Sequence, residues 1–169
     1  MPIQYRKLIA ADAEQSVSLR KAMLLDAPAS FGSSPEDDRA SDLTHVRTYL
    51  QPNPLHASFG AFDEDAGLVG TVGIGCQTKR KSKHIASIWG MYVAPEFRRQ
   101  GVGKALMQHA IAFARSAHDI EAVQLSVSAS APGAQRLYES LGFVVWGTEP
   151  DAMRINGEPY DEKHMALAL

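Results

Sequence analysis

Residues 91–104 read Met91-Tyr92-Val93-Ala94-Pro95-Glu96-Phe97-Arg98-Arg99-Gln100-Gly101-Val102-Gly103-Lys104. An apolar run ends at Val93 and a proline turn follows. From Gly101 onward Val102, Leu106, His109, Ala110, Phe113 and Ala117 fall on one side of a helix, with Lys104, Gln108 and Arg115 opposite. The stretch is therefore a strand, a turn and the start of an amphipathic helix. The first amides of such a helix have no intrahelical acceptors and point together toward an anion. Gly101 and Gly103 permit positive φ or close backbone approach, while Arg98, Arg99 and Lys104 add positive charge at a terminus that already favours anions. Arg98, Arg99, Gln100, Gly101, Val102, Gly103 and Lys104 thus read as a pyrophosphate cradle. A dinucleotide fingerprint is excluded because Leu106 stands at its third glycine, and a P-loop because Ala105 stands where a magnesium-binding hydroxyl is required. Taken alone, the loop is equally well explained as an unliganded glycine turn.

Upstream, residues 3–9 read as a strand and 10–26 as a helix. The Pro/Ser/Gly-rich stretch PASFGSSP breaks the pattern. A second helix is expected from Ser34 or Pro35 to Leu50, with Glu36, Asp37 and Asp38 as charges in its first turn. QPNP at 51–54 stops it. Three apolar runs, 56–62, 68–76 and 85–93, form an antiparallel meander. After the helix at 101–118 come a strand at 121–127, a short helix at 132–141, and strands at 143–148 and 159–167 around Asn156-Gly157. The expected fold is α/β of the α+β kind: a mixed, mostly antiparallel sheet of about seven strands, flanked on both faces by about four helices.

With 169 residues, 45% hydrophobic and 21% charged, the chain can bury one core, and residues 1–169 are expected to form a single domain. A net charge of -2 gives no general field for nucleic acid. The single Cys76 excludes an intramolecular disulfide and a multi-cysteine zinc site, and no metal is expected. No secretory leader or long apolar span is evident, so a cytoplasmic protein without a membrane anchor is expected. The basic run Lys79-Arg80-Lys81-Ser82-Lys83 precedes the strand whose far end leads into the cradle, which places it at the opposite end of the sheet as a charged hairpin tip.

The cradle, with Arg98, Gly101 and Gly103, resembles the coenzyme A loop of the GNAT family of N-acetyltransferases, in which Arg or Gln, two residues, Gly, one residue, and Gly or Ala follow in order. Ala134-Gln135-Arg136-Leu137-Tyr138-Glu139-Ser140-Leu141-Gly142-Phe143 is similar to the second signature of that family, a short helix bearing a tyrosine and closing at Gly-Phe. The resemblance implies acetyl-CoA as cosubstrate, its pyrophosphate on the amides from Arg99 to Lys104 and its pantetheine arm beside Met91, Tyr92 and Val93. It implies that Gly90 marks a strand bulge aiming an amide at the acetyl carbonyl, and that Tyr138 protonates the departing thiolate.

Two positions depart from the family pattern. Ala131 stands where relatives usually carry Asn, so the bond that this Asn makes near the cofactor is missing or is made by Ser130 or water, unless Ser130 caps the helix. Ser126 stands where some relatives carry a carboxylate, and 85–93 and 123–127 contain no Asp, Glu or His. The acceptor amine must be neutral to attack, so a base elsewhere, a water chain or an amine of low pKa is then required. Period two places Tyr160, Glu162 and His164 on one face of the last strand, where Glu162 and His164 are the candidate acceptor residues; a solvated edge strand would read the same way. The implied function is direct acetyl transfer to a primary amine of a small molecule or peptide. Protein N-terminal or lysine acetylation and a non-catalytic acyl-CoA sensor are the alternatives, and homodimers are common among such relatives.

Overall fold

The structure, a computed structural model, describes residues 2–169. Its elements are β1 (Gln4–Lys7), α1 (Ala13–Asp26), α2 (Leu43–Tyr49), β2 (His56–Asp63), β3 (Gly67–Cys76), β4 (Ile85–Val93), α3 (Val102–Ser116), β5 (Ala122–Ser128), α4 (Pro132–Ser140), β6 (Val144–Ile155) and β7 (Glu158–Ala168). The sheet runs β1-β2-β3-β4-β5-β7-β6, antiparallel throughout except at β4 and β5. The expected mixed sheet with four flanking helices is the architecture found.

Two cores result. Under α3 and α4, Leu106, Met107 and Ala110 meet Val72, Ile74, Ala86 and Val123. Under α1 and α2, Val17, Met23 and Val46 meet Leu8, Leu68 and Tyr92. Among the described residues no helix is long and apolar enough to cross a membrane.

The second helix is much shorter than its sequence suggests, because side chains between 34 and 42 bond locally instead of continuing a helix. Asp37 accepts from the Ser34 amide at 2.8 Å, and Asp42, not Ser34 or Pro35, caps α2 by accepting from the His45 amide at 2.6 Å. Asp38, expected as a helix-start charge, reaches back to α1. Its carboxylate, 2% exposed, accepts from Arg20 Nη2 at 2.7 Å and from Ser41 Oγ at 2.7 Å, pinning the α1–α2 connection. Burial raises the Asp38 pKa, but Arg20 and Ser41 outweigh it and hold the carboxyl below its ordinary value. Its stabilisation is therefore complete above the unfolded carboxylate range, about pH 4, and is lost as pH falls through the lower folded value. Asp38→Ala leaves the Arg20 guanidinium without its partner, and urea unfolding at neutral pH should show a loss of about 3 to 5 kcal/mol.

Strand β6 continues to Ile155 instead of stopping near Thr148. Pro150 reads as a strand end, yet a register shift between Glu149 and Met153 absorbs it, with Asp151 at φ 52° and its amide donating to Asp161 Oδ1 at 2.8 Å. The last strand is not at the edge: β7 lies between β5 and β6. The Lys79 to Lys83 run does lie in the β3–β4 connection, at the other end of β4 from the cradle, where Lys83 pairs with Asp119 at 2.8 Å.

Candidate active site

The cleft begins where the sheet comes apart. Parallel strands β4 and β5 pair only at Ile85↔Ala122, Ala86↔Val123 and Ser87↔Gln124, and beyond Ser87 they diverge. A cleft of about 600 Å³ opens there, walled by residues 88–93 of β4, 125–128 of β5 and α4.

Divergence is helped by a bulge in β4. Thr71 faces Tyr92 while Gly73 faces Trp89, so β4 carries one residue more than β3 over this span, and Gly90 takes φ 60°. The bulge expected at Gly90 is present, and the glycine is required by its left-handed backbone.

At the mouth lies the turn from β4 into α3. Arg99 at φ 60° and Gly101 at φ 82° both adopt left-handed backbone, and no amide from Arg99 to Lys104 is engaged by a protein acceptor among the described residues. Successive free amides with the N-terminus of α3 make an anion-binding concavity. Arg98, Arg99, Gly101, Gly103 and Lys104 line the cleft. Arg98, Gln100 and Val102 also serve the frame. Arg98 donates from Nε to the Val93 carbonyl at 2.8 Å and pairs through Nη2 with Asp26, while its guanidinium lies 5.4 Å from the centre of the Tyr92 ring. Tyr92 donates its hydroxyl to Asp26 at 3.1 Å, so Asp26, a residue the sequence did not single out, ties the cradle to the end of α1. Arg98 above all, and then Tyr92, hold the Asp26 carboxyl below its ordinary pKa against the opposing effect of burial. Gln100 bonds the Glu96 carbonyl at 2.9 Å, and Val102 is buried in the core.

Deeper in, Tyr138 on α4 borders the cleft. Its ring meets Phe143 edge-on at 6.1 Å, and its hydroxyl has no hydrogen-bond partner among the described residues. Burial pushes its pKa up to about 12, which keeps the phenol a proton donor through the neutral range. Ala131, not Ser130, is the N-cap of α4, with Pro132 in the first turn. Ser130 bonds Ser128 Oγ at 2.8 Å, so the expected capping role does not hold.

On the opposite wall Ser126 opens a hydrogen-bonded chain. Its Oγ lies 2.9 Å from His164 Nδ1, and His164 Nε2 lies 3.0 Å from Glu149 Oε2. The carboxylate must accept from Nε2–H, which leaves Nδ1 to accept from the serine hydroxyl. Trp146 covers the imidazole with ring centres 5.3 Å apart. Glu162 stands opposite both Ser128 and Glu149, and ligating atoms of Glu149, Glu162 and His164 lie within 4.8 Å of one another, the only such trio of potential metal ligands among the described residues. The shared face of Glu162 and His164 is as expected, but only Ser126 of this group reaches the cleft lining. Glu149 had no signal in the sequence, because its approach depends on the register of β6 against β7.

The comparisons fit this geometry. A match to the Acetyltransferase (GNAT) family covers residues 18–143. An L-amino acid N-acetyltransferase, AaaT, of Escherichia coli (strain K12) is 28% identical over 102 residues, which are 60% of this chain and 62% of that protein. An acetyltransferase of the GNAT family from Streptococcus pneumoniae superposes with a TM-score of 0.87 at 20% identity, covering 99% of this chain and 100% of that one. YncA from Salmonella typhimurium, solved with its cofactor acetyl-CoA, gives 0.85 at 19% identity over 100% and 95% of the respective chains. At these identities the two structures establish a common fold.

Proposed function

The chain belongs to the acetyltransferase (GNAT) family, and from that premise we propose that its described elements act as one domain, an acetyl-CoA-dependent N-acetyltransferase for a primary amine. The observation that carries the reading is the row of unengaged amides from Arg99 to Lys104, placed at the mouth of a cleft that the unpartnered hydroxyl of Tyr138 borders. These groups fit the ligand: an anion cradle for the pyrophosphate and, for the amide-bearing arm, the strand edge from Met91 to the Val93 amide, where β4 has parted from β5. When bound, acetyl-CoA supplies a thioester whose acetyl carbon the amine attacks directly.

The residues of this chain divide the remaining work. Arg99 and Lys104 add charge to the cradle, whereas Arg98, Gln100 and Val102 hold its shape. Backbone amides at the Gly90 bulge stabilise the tetrahedral oxyanion. Tyr138 donates its proton to the sulfur as the carbon–sulfur bond breaks. The proton of the acceptor passes from nitrogen to Ser126 Oγ as the serine proton moves to His164 Nδ1, with Glu149 stabilising the imidazolium and Glu162 attracting the ammonium form of the acceptor. In this reading a base one strand away takes the place of the carboxylate missing from β5.

The function is tested by release of free thiol from acetyl-CoA in the presence of an amine panel; binding without release under every amine would reduce the protein to a sensor. Within the same assay, Glu162→Gln with His164→Gln should lower acceptor kcat/KM by about 10²-fold or more across roughly pH 6 to 9 while acetyl-CoA affinity persists. Unchanged acceptor kinetics over that range would return both residues to ordinary solvated positions on the sheet.

A further inference from the structure

A second cavity, of about 150 Å³, adjoins the cleft at Trp89 and Gly90, which line both. It lies between α1 and α2 on one side and β2 to β4 on the other. At about 30 Å³ per water-sized group it has room for about five. On the sheet side it is bounded by Gly73 and by the indole of Trp89. Cβ atoms added at Gly73 and Gly75 would lie 2.5 Å from Trp89 Nε1 and 2.8 Å from its Cη2, so the indole lies directly over two glycines of β3. Tyr49, at the end of α2, meets Trp89 edge-on at 6.4 Å and stacks on His56 at 4.3 Å.

Two polar atoms in this lining are out of place unless something meets them. Ser16 Oγ and the Tyr49 hydroxyl are both buried, the first with no hydrogen-bond partner and the second with only a weak approach to the Ser58 hydroxyl, an unusual state for buried polar groups. They come from different helices and line one small space. Burial pushes the Tyr49 phenol up to about 12, the nearby Ser58 hydroxyl offsetting part of the rise, so it remains a neutral donor. Thr71 supplies another hydroxyl. The single charged lining residue is Arg20, and its charge is already matched, since Asp38 accepts from Nη2 at 2.7 Å and from Nε at 3.1 Å. A carboxylate entering here would meet no unpaired cation and would displace or repel Asp38. A second ammonium would lie beside the guanidinium.

We propose that this cavity receives the far end of the acceptor, and that the acceptor is a small primary amine carrying an uncharged hydroxyl or carboxamide about four or five atoms from its nitrogen. The inference rests on the acetyltransferase reading, with the amine held at the Gly90 boundary between the two cavities. Hydroxyl and amide groups both donate and accept, which is what these serine and tyrosine hydroxyls require. A site built to bond such a group discriminates against an analogue that lacks it, because its own buried polar atoms are then left unpaired.

The test compares amines of matched size, butylamine, propanolamine, β-alaninamide, β-alanine and diaminopropane, by thiol release from saturating acetyl-CoA. Propanolamine and β-alaninamide should exceed the other three in kcat/KM by roughly tenfold or more. In Tyr49→Phe with Ser16→Ala, which keeps the stacked ring and the helix, the ratio of propanolamine to butylamine should fall toward one; thermal melting verifies that the variant is folded. Asp38→Asn, which frees the guanidinium, should raise β-alanine relative to propanolamine. A preference for β-alanine or diaminopropane in the unaltered protein, or a ratio untouched by the double replacement, overturns the inference and leaves the cavity a place for water. Acetylation of all five amines alike overturns it too, with the acetyltransferase reading intact, whereas no acetylation of any amine removes both.

Discussion

Gly103→Val should abolish the thermal stabilisation conferred by acetyl-CoA. At about 100 times its dissociation constant a ligand adds roughly 2.7 kcal/mol to the folded state, which for a chain of this size is a rise of about 5 to 10 °C in Tm. Gly103 sits in the first turn of α3 with no room to spare. A Cβ there lies 3.0 Å from Met91 Cε, 3.3 Å from Leu137 Cδ2 and 3.7 Å from Val93 Cγ2. The branched methyl groups of valine would push β4 and α4 outward, and these are two walls of the cleft. Gly101→Ala is the informative contrast: a Cβ there meets nothing within 4 Å, but the backbone is held at φ 82°. That change should cost about 1 to 2 kcal/mol of stability by strain and leave a measurable ligand shift. Full calorimetric affinity in Gly103→Val would mean that the cradle has been assigned to the wrong loop.

Tyr138→Phe should lower kcat by about 10²- to 10⁴-fold with little change in acetyl-CoA affinity. The substitution keeps the ring that packs against Phe143 and removes only a hydroxyl without a partner, so the fold has no reason to suffer. With its pKa pushed up to about 12, the phenol stays protonated across the neutral range, and no loss of activity from its ionisation is expected below about pH 10. The measurement needs conditions in which chemistry limits turnover, established by single-turnover kinetics. Wild-type kcat there would make Tyr138 a packing residue.

Much of this was legible from local signals. Gly101 and Gly103 after an apolar run, the amphipathic period of α3, Pro132 at the start of α4 and Asn156-Gly157 between the last strands each dictate their own conformation, and the structure follows them. Failures came where partners distant in sequence decide. Asp38 looks like a helix-start charge until Arg20, eighteen positions earlier, captures it. Arg98 lines the cleft as its place in the motif suggests, but its pairing with Asp26 at the end of α1 has no signal in the sequence. Glu149 becomes the partner of His164 only through the β6–β7 register, and β7 looked like an edge because sequence order says nothing of the final strand swap that places β6 outermost. Ser16 and Tyr49 carry no signal of their own in the sequence; only packing reveals that they share a cavity.

The three-pair junction between β4 and β5 also has a mechanical meaning. Sheets are usually stiffest at their centre, yet here the middle is a seam between one panel, β1 to β4, and another, β5 to β7. The panels are tied at one end by those pairs, and beyond Ser87 they part like the covers of a book from its spine. A molecule that bonds to the inner edge of one panel while packing against the other acts as a clasp. Occupancy of the cleft thus adds a tie across the seam that the strand ladder itself lacks beyond Ser87.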